Sequence, residues 1–574
     1  MKISDSCDLR SLAPGAIGLG ILEFCQVRIT VMKTLAMVLL SSLLVACGGG
    51  GGETRVEAGI RDGVFHMGNA SEPQGLDPHI VSGVPEHYII TSLFEGLTTK
   101  NPYTLEIEPG VAERWDISED GKTYTFHLRE NARWSNGDPV TAEDFRWSWQ
   151  RALTPELGSL YSYMYFPIVN AEAFTTGVID DFSQVGVEVL DDYTLRVELR
   201  DPTPYFLQLL DHYSMFPVHR ASVESFGSAT DRLSQWARAG NLVSNGPFTL
   251  TEWQVNSHVR VEKTETYWDA ERVKLNAIVF YPTENQTTEE RMFRDGQLHH
   301  TYEVPIEKLR GYMQDEPESL VVAPYLGTYY YMINTTRAPF DDVRVRKALA
   351  MSIDRDLLVE TVLQGFFEPS YAIVPPGTLG YQPPKTFGYD PERARELLAE
   401  AGYPNGEGFP AFNILYNTNE QHQKIAVAIQ QMWRKELGIG VNLLNQEWQV
   451  YLNSQEIMNY AVSRRGWIGD YVDPTTFLGM FITDGGNNKT GFSNPRYDEI
   501  ILRQAPSEQD RDARYALYRE AESLLIDTMP IIPIYTYQSK HLRHPSVKGM
   551  PSNIMDYYNW RYVYLEADNP AQSQ

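Results

Sequence analysis

Between residues 123 and 128 apolar and polar positions alternate, with Tyr124, Phe126 and Leu128 on one side of the register. The same two-residue period recurs at Tyr193, Leu195, Val197 and Leu199. Strict alternation predicts half-buried strands. Each is entered through turn-forming residues, Glu119-Asp120-Gly121 and Asp191-Asp192. Further along, the period lengthens. Ala394, Leu397, Leu398 and Ala401 share one helical face between Asp390 and Gly402. Asp390 is placed to cap this helix, Pro391 to open it and Gly402 to stop it. A second helix is expected from about Gln421 to Leu437, with Ile425, Ile429, Met432 and Trp433 at helical spacing. It runs into a strand at Val441–Leu444, a helix–strand unit that points to the α/β class. No internal repeat is visible.

The chain's longest apolar run lies near its start. Met32 and Lys33 lead into Thr34–Ala46, which is shorter than the roughly 20 apolar residues of a membrane span. A charged start, a short apolar core and a small-residue step make a secretory signal over 32–46. Leu44-Val45-Ala46-Cys47 resembles the lipobox of bacterial lipoproteins, which implies that Cys47 is acylated and begins the mature chain. Five glycines, Gly48 to Gly52, follow as a loose tether, so 47–54 reads as anchor and tether. On this reading translation starts at Met32, and residues 1–31 are an over-extended start. Cys7 and Cys25 then fall in the leader, leaving a mature chain with no free thiol and no disulfide.

About 525 residues beyond the signal suggest two to four structural units. The whole chain carries 49 Lys and Arg against 75 Asp and Glu, a formal net charge of −26, which argues against nucleic acid as a partner. There are 34 tyrosines and 11 tryptophans, enough to build both a core and an aromatic cleft. Catalytic patterns are missing: no H-E-x-x-H, no G-x-S-x-G, no phosphate-binding G-x-x-x-x-G-K-[ST] and no paired C-x-x-C. Gly438-Ile439-Gly440 lacks a third glycine and follows a helix. His299-His300 and His541-x-x-His544 have no carboxylate or cysteine ligands at a metal-binding spacing. No metal, no cofactor and no enzyme activity are therefore expected. A secreted peptidase would need a nucleophile or metal motif, and the chemistry reads as binding.

The segment RWDISEDGKTYTFHLRENARWSNGDPVTAEDFRWSWQRAL, from Arg114 to Leu153, resembles the signature of the extracellular solute-binding proteins, family 5, that feed peptide ABC importers. Further matches follow in the family's order: DPTPYFLQLL from Asp201, GTYYYMINTTRAPFDDVRVRKAL from Gly327, YDPERARELLAEAGYPNG from Tyr389, ILYNTNEQHQKIA from Ile414, NQEWQVYL from Asn445 and RRGWIGDYVDPTTFL from Arg464. Within the family the likeness is to the oligopeptide-binding branch and its murein-peptide relatives. It implies an α/β, two-lobed periplasmic-binding-protein fold with an extra subdomain, its lobes closing over a central cleft. Lobe I would comprise 55–94, 219–320 and 537–574, subdomain II 95–218, and lobe III 321–536.

The resemblance also implies a ligand and a site. Oligopeptides would lie between Ser82-Gly83-Val84 and Gly466-Trp467-Ile468 as short flanking strands, although Ser82-Gly83-Val84-Pro85 read on its own is a loop. Asp470 stands where the family grips the peptide's α-ammonium, and His422 and Arg464 match positions that face peptide carboxylates. Two further cationic positions of the family fall at Gln455 and near Val362–Leu363, so two of those charges are missing here. Arg465 is a weaker substitute, since adjacent strand residues point oppositely. Trp448, Trp467 and Tyr163 are candidate walls for hydrated side-chain pockets. The expected protein is a monomeric, periplasmic, membrane-anchored lipoprotein that delivers oligopeptides to ABC permease subunits. Alternatives are a murein-peptide or other solute receptor on the same fold, or a peptide-sensing lipoprotein without transport.

Overall fold

The computed structural model describes residues 52–567. Cys47 and the predicted signal lie outside the described residues. From Arg55 onward the chain forms one compact unit of mixed helix and sheet. The alternating segments are strands, as their period requires. Thr123–Leu128 buries Tyr124, Phe126 and Leu128, and Thr194–Glu198 buries Leu195 and Val197. They pair antiparallel within a four-stranded sheet ordered Ala112–Ile117, Thr123–Leu128, Thr194–Glu198, Val187–Asp191. A second four-stranded sheet sets Val64–Gly68 parallel to Ala277–Tyr281, followed by His258–Lys263 and Phe248–Gln254.

The third sheet has six strands, in the order Glu368–Pro369, Ile531–Leu542, Leu320–Ile333, Val462–Ile468, Phe412–Asn417, Val441–Gln446. Both predicted helices pack in this part of the chain. Pro391–Glu400 is capped by Asp390, whose carboxylate accepts the Arg393 N–H at 2.9 Å, and it buries Ala394, Leu397 and Leu398. Glu420–Leu437 buries Ile425, Ile429 and Trp433, and Gly438 ends it at φ 70°.

Two features set the cleft. Leu320–Ile333 and Ile531–Leu542 form a long antiparallel ribbon, irregular between Pro324 and Thr328, on which the expected boundaries 320/321 and 536/537 fall. His300 bridges from that ribbon, at Arg543, to Met67 of the four-stranded sheet. The second feature is a buried clamp: Arg151, on the helix Ala142–Leu153, reaches Asp77 at 2.6 Å and His79 Nδ1 at 2.8 Å. Burial works against ionisation of Asp77, but Arg151 outweighs it and holds the carboxyl below its usual range. The clamp fixes the segment leading to Ser82. Removing one partner of such a pair typically costs about 3–5 kcal/mol.

Candidate functional site

A cavity of about 240 Å³ is walled by residues that run from Ala70 to Tyr557 along the chain. A cavity of this size has room for several waters. Ser82, Gly83, Val84, His422, Trp448, Arg464, Gly466, Trp467, Ile468 and Asp470 all line it. Residues nearly 400 positions apart in the chain therefore meet at one site.

The geometry of Val462–Ile468 makes it a receptor for extended chains. One edge pairs continuously with Leu320–Ile333, from Val462↔Ile333 to Ile468↔Gly327. The other edge pairs with Phe412–Asn417 only at Val462 and Ser463. From Arg464 to Ile468 that second edge has no strand beside it; Tyr451 and Gln455 side chains occupy the Arg464 carbonyl, and the edge beyond it is a template for strand addition. Gly466 is required for closeness. A Cβ there would lie 2.3 Å from the Tyr537 hydroxyl and 3.1 Å from Arg464 Nη2.

On the opposite wall, Ser82-Gly83-Val84 is not a strand. Gly83 is the extended N-cap of the helix Val84–Leu93, with Pro85 in its first turn, because proline supplies no N–H for a ladder but suits a helix start. The loop still faces the ligand space. Gly83 sits under Trp448, whose Nε1 donates to Glu86 Oε1 at 3.3 Å across the cleft. Burial pushes the Glu86 carboxyl up to about 7.

Asp470 follows the strand's open end. Its backbone is committed, with N–H donating to Thr476 Oγ1 at 2.8 Å and C=O accepting from Lys100 Nζ at 3.5 Å. Its side chain is not. Oδ1 stands 3.3 Å from His212 Nε2, and Oδ2 is buried without a hydrogen-bond partner. The adjacent Lys100–Asp211 pair, at 2.7 Å, is internally balanced.

The other end of the edge is basic. Arg464 is buried, donates to Tyr537 Oη at 2.7 Å and to Asn417 Oδ1 at 3.3 Å, and lies 4.8 Å over the Tyr329 ring. Its Nε has no partner. His422 shares this corner, yet it is no cation there. Burial, together with the positive charges of Arg464 and Lys540, pushes its imidazole well below the usual range, so it is neutral. Gln455 lines the cleft but gives its amide N–H groups to Tyr451 Oη, Ser463 Oγ and the Arg464 carbonyl. Leu363 is fully buried away from the cavity. Arg465 leaves the strand on the face opposite Arg464, as alternation requires, yet it also lines the cavity, 5.8 Å over the Trp467 ring, where it donates to Asn487 Oδ1 at 3.0 Å.

Of the expected aromatic walls, Trp448 and Trp467 are in place and Tyr163 is not. Tyr163 lines a smaller neighbouring cavity with Tyr205 and Tyr471, and Tyr161 takes the cleft position, 6.2 Å from Trp467 ring to ring. Tyr161 precedes the 3₁₀ turn Ser162–Tyr165 and Tyr163 lies inside it, so the two side chains leave on different sides. The sequence reading also missed Tyr537, Glu303 and Lys540, which all line the cleft. For Lys540 a signal existed, a lysine inside a strand otherwise rich in buried apolar and aromatic residues. Among the described residues no group of three or more His, Cys, Asp or Glu side chains is placed to hold a metal ion.

Residues 106–489 match the model for bacterial extracellular solute-binding proteins, family 5. The chain belongs to this family. Its sequence is 38% identical over 532 residues to the periplasmic oligopeptide-binding protein OppA of Salmonella typhimurium, covering 91% of this chain and 96% of that protein. Among solved structures, the Escherichia coli murein tripeptide binding protein MppA overlays with a TM-score of 0.83 at 38% identity, covering 88% of this chain and 98% of MppA. Haemophilus influenzae OppA in complex with RPPGFSPFR gives 0.83 at 36% identity, covering 88% and 99%. Against MppA in its unliganded open form the score falls to 0.59 at the same 38% identity, covering 88% and 97%. With identity unchanged, the fall measures a difference in arrangement. This family member is unlike the open form.

Proposed function

We propose that this protein is the receptor of an ABC importer, anchored to the membrane through acylated Cys47, which captures oligopeptides and delivers them to permease subunits without chemical change. The observation that carries the reading is the open edge from Arg464 to Ile468, with a buried, unmatched carboxylate oxygen at Asp470 beyond one end and a buried guanidinium at the other. A zwitterion of extended backbone complements all three. Strand residues rise about 3.3 Å each, so Arg464 and Asp470 are separated by at most about 20 Å. Both side chains reach inward, which favours peptides of about three to five residues. Main-chain pairing supplies affinity without reading side chains, as a receptor for many sequences needs. Lobes at 55–94 with 219–320 and 537–574, and at 321–536, with the appended 95–218, would close over the ligand by bending at the strand ribbon.

The test is mass spectrometry of ligands that co-purify with the protein and are released by denaturation. Intact peptides with free ends are expected, and a non-peptide solute would overturn the reading. Detergent-phase partitioning that disappears in Cys47→Ser checks the anchor. A murein-peptide receptor is the second reading, favoured by the missing cations at Gln455 and Leu363. The same spectra would then contain peptides with nonstandard residues.

A further inference from the structure

Resting on the peptide reading, we infer that Lys540 is a carboxylate-binding residue of this cleft, which with Arg464 receives a ligand carboxylate in place of the cations missing at Gln455 and Leu363. Lys540 lines the cavity, and its side chain is only 1% exposed. Burying an ammonium is costly unless it is paired and hydrogen-bonded. Here the pairing is incomplete. The closest carboxylate oxygen, Glu303 Oε1, is 3.7 Å away, beyond hydrogen-bond reach, and the ammonium otherwise lies 4.9 Å over the Phe367 ring. Glu303 is itself engaged by the Gln286 side-chain amide through its other oxygen.

Arg464 bonds neutral oxygens of Tyr537 and Asn417. Two cations against Glu303 leave one positive charge unmatched in this corner. The polar atoms around it are also unfinished: Arg464 Nε, Gln421 Oε1 and His422 Nδ1 are buried and without partners. Gln421 and His422 open the 18-residue helix Glu420–Leu437, whose N-terminus adds a favourable field for an anion. One carboxylate would satisfy the charge and accept from Arg464 Nε and from His422 Nδ1 in its N–H tautomer, while Gln421 Oε1, an acceptor, is left for a ligand N–H. It can be the peptide's C-terminus or an acidic side chain near that end.

Calorimetry on the full-length protein and on Lys540→Met and Glu303→Gln tests this. The probes are tri-, tetra- and penta-alanine as free acids, the same peptides as C-terminal amides, and amides ending in glutamate. The wild type should prefer acid to amide at its best length, and Lys540→Met should cut that preference about ten- to hundredfold, lowering acid affinity far more than amide affinity. Glu303→Gln frees the ammonium and should tighten acid binding. A glutamate amide that binds like the free acid assigns the side-chain source, and one that binds like the alanine amide assigns the C-terminus. An acid preference that survives Lys540→Met, or acid binding weakened by Glu303→Gln, overturns the role of Lys540 alone. Absence of any peptide binding by the wild type overturns the peptide reading as well. If Lys540→Met does not fold, Glu303→Gln decides.

Discussion

Asp470→Asn removes one charge and almost nothing else. The substitution keeps the side chain's shape, and the backbone bonds to Thr476 and Lys100 do not depend on the carboxylate. The side chain is 14% exposed and touches His212 at 3.3 Å, so it belongs with buried charges. A peptide ammonium drawn into the closed cleft must leave water, and stranding one partner of such a pair costs about 3–5 kcal/mol. That is roughly two to three and a half orders of magnitude in affinity. Calorimetry with tetra-alanine should show this loss, whereas the melting temperature of the empty protein should hardly change. N-acetylation of the peptide should weaken binding to the wild type strongly and add little to the mutant's deficit, because both remove the same interaction. Additive losses, or a mutant that melts well below the wild type, would show that Asp470 is a structural loop residue and that the amine is held elsewhere.

Three further outcomes are expected. Gly466→Ala should displace Tyr537 from its 2.7 Å bond to Arg464 and weaken peptide binding about tenfold, read by calorimetry; unchanged affinity would refute the close-approach argument. Glu289 is buried, and burial raises its carboxyl to about 8, above its unfolded range. Its contribution is therefore fully present below about pH 4.5 and lost as pH climbs towards 8, so melting temperature should fall across that window and Glu289→Gln should flatten the slope. Arg151→Met should destabilise the protein by about 3–5 kcal/mol in a denaturant titration, since it leaves Asp77 buried and unpaired.

The elements legible in the sequence are those that bury one face. Thr123–Leu128 and Thr194–Glu198 show a two-residue period because their other face meets water, and Pro391–Glu400 carries caps at both ends. Leu320–Ile333, the strand that organises the cleft, is nearly uniform in its second half, GTYYYMI, because that half is buried on both faces and no period survives. Of the cavity lining, Asp470, Arg464 and both tryptophans stand in ordered motifs that the sequence displays. Their electrical character is not legible there. His422 is neutral because it is buried and because Arg464 and Lys540, 42 and 118 positions away, add positive charge nearby, and no local pattern encodes that neighbourhood. Tyr161 and Tyr163 are indistinguishable by composition, and the turn that begins after Tyr161 decides which one faces the cleft.

A strand edge left open in water is an aggregation hazard, since any other exposed strand can pair with it. The edge from Arg464 to Ile468 escapes this because it lines a cavity that Trp448 and Tyr161 help to wall. Another folded protein cannot bring a sheet that deep, whereas a short detached chain can. The depth of the recess therefore acts as a sieve on the bulk of what approaches. The protein can thus display an adhesive backbone permanently without polymerising on itself. Replacing both wall side chains, Trp448→Ala with Tyr161→Ala, should turn a monodisperse protein into one that self-associates, read by light scattering.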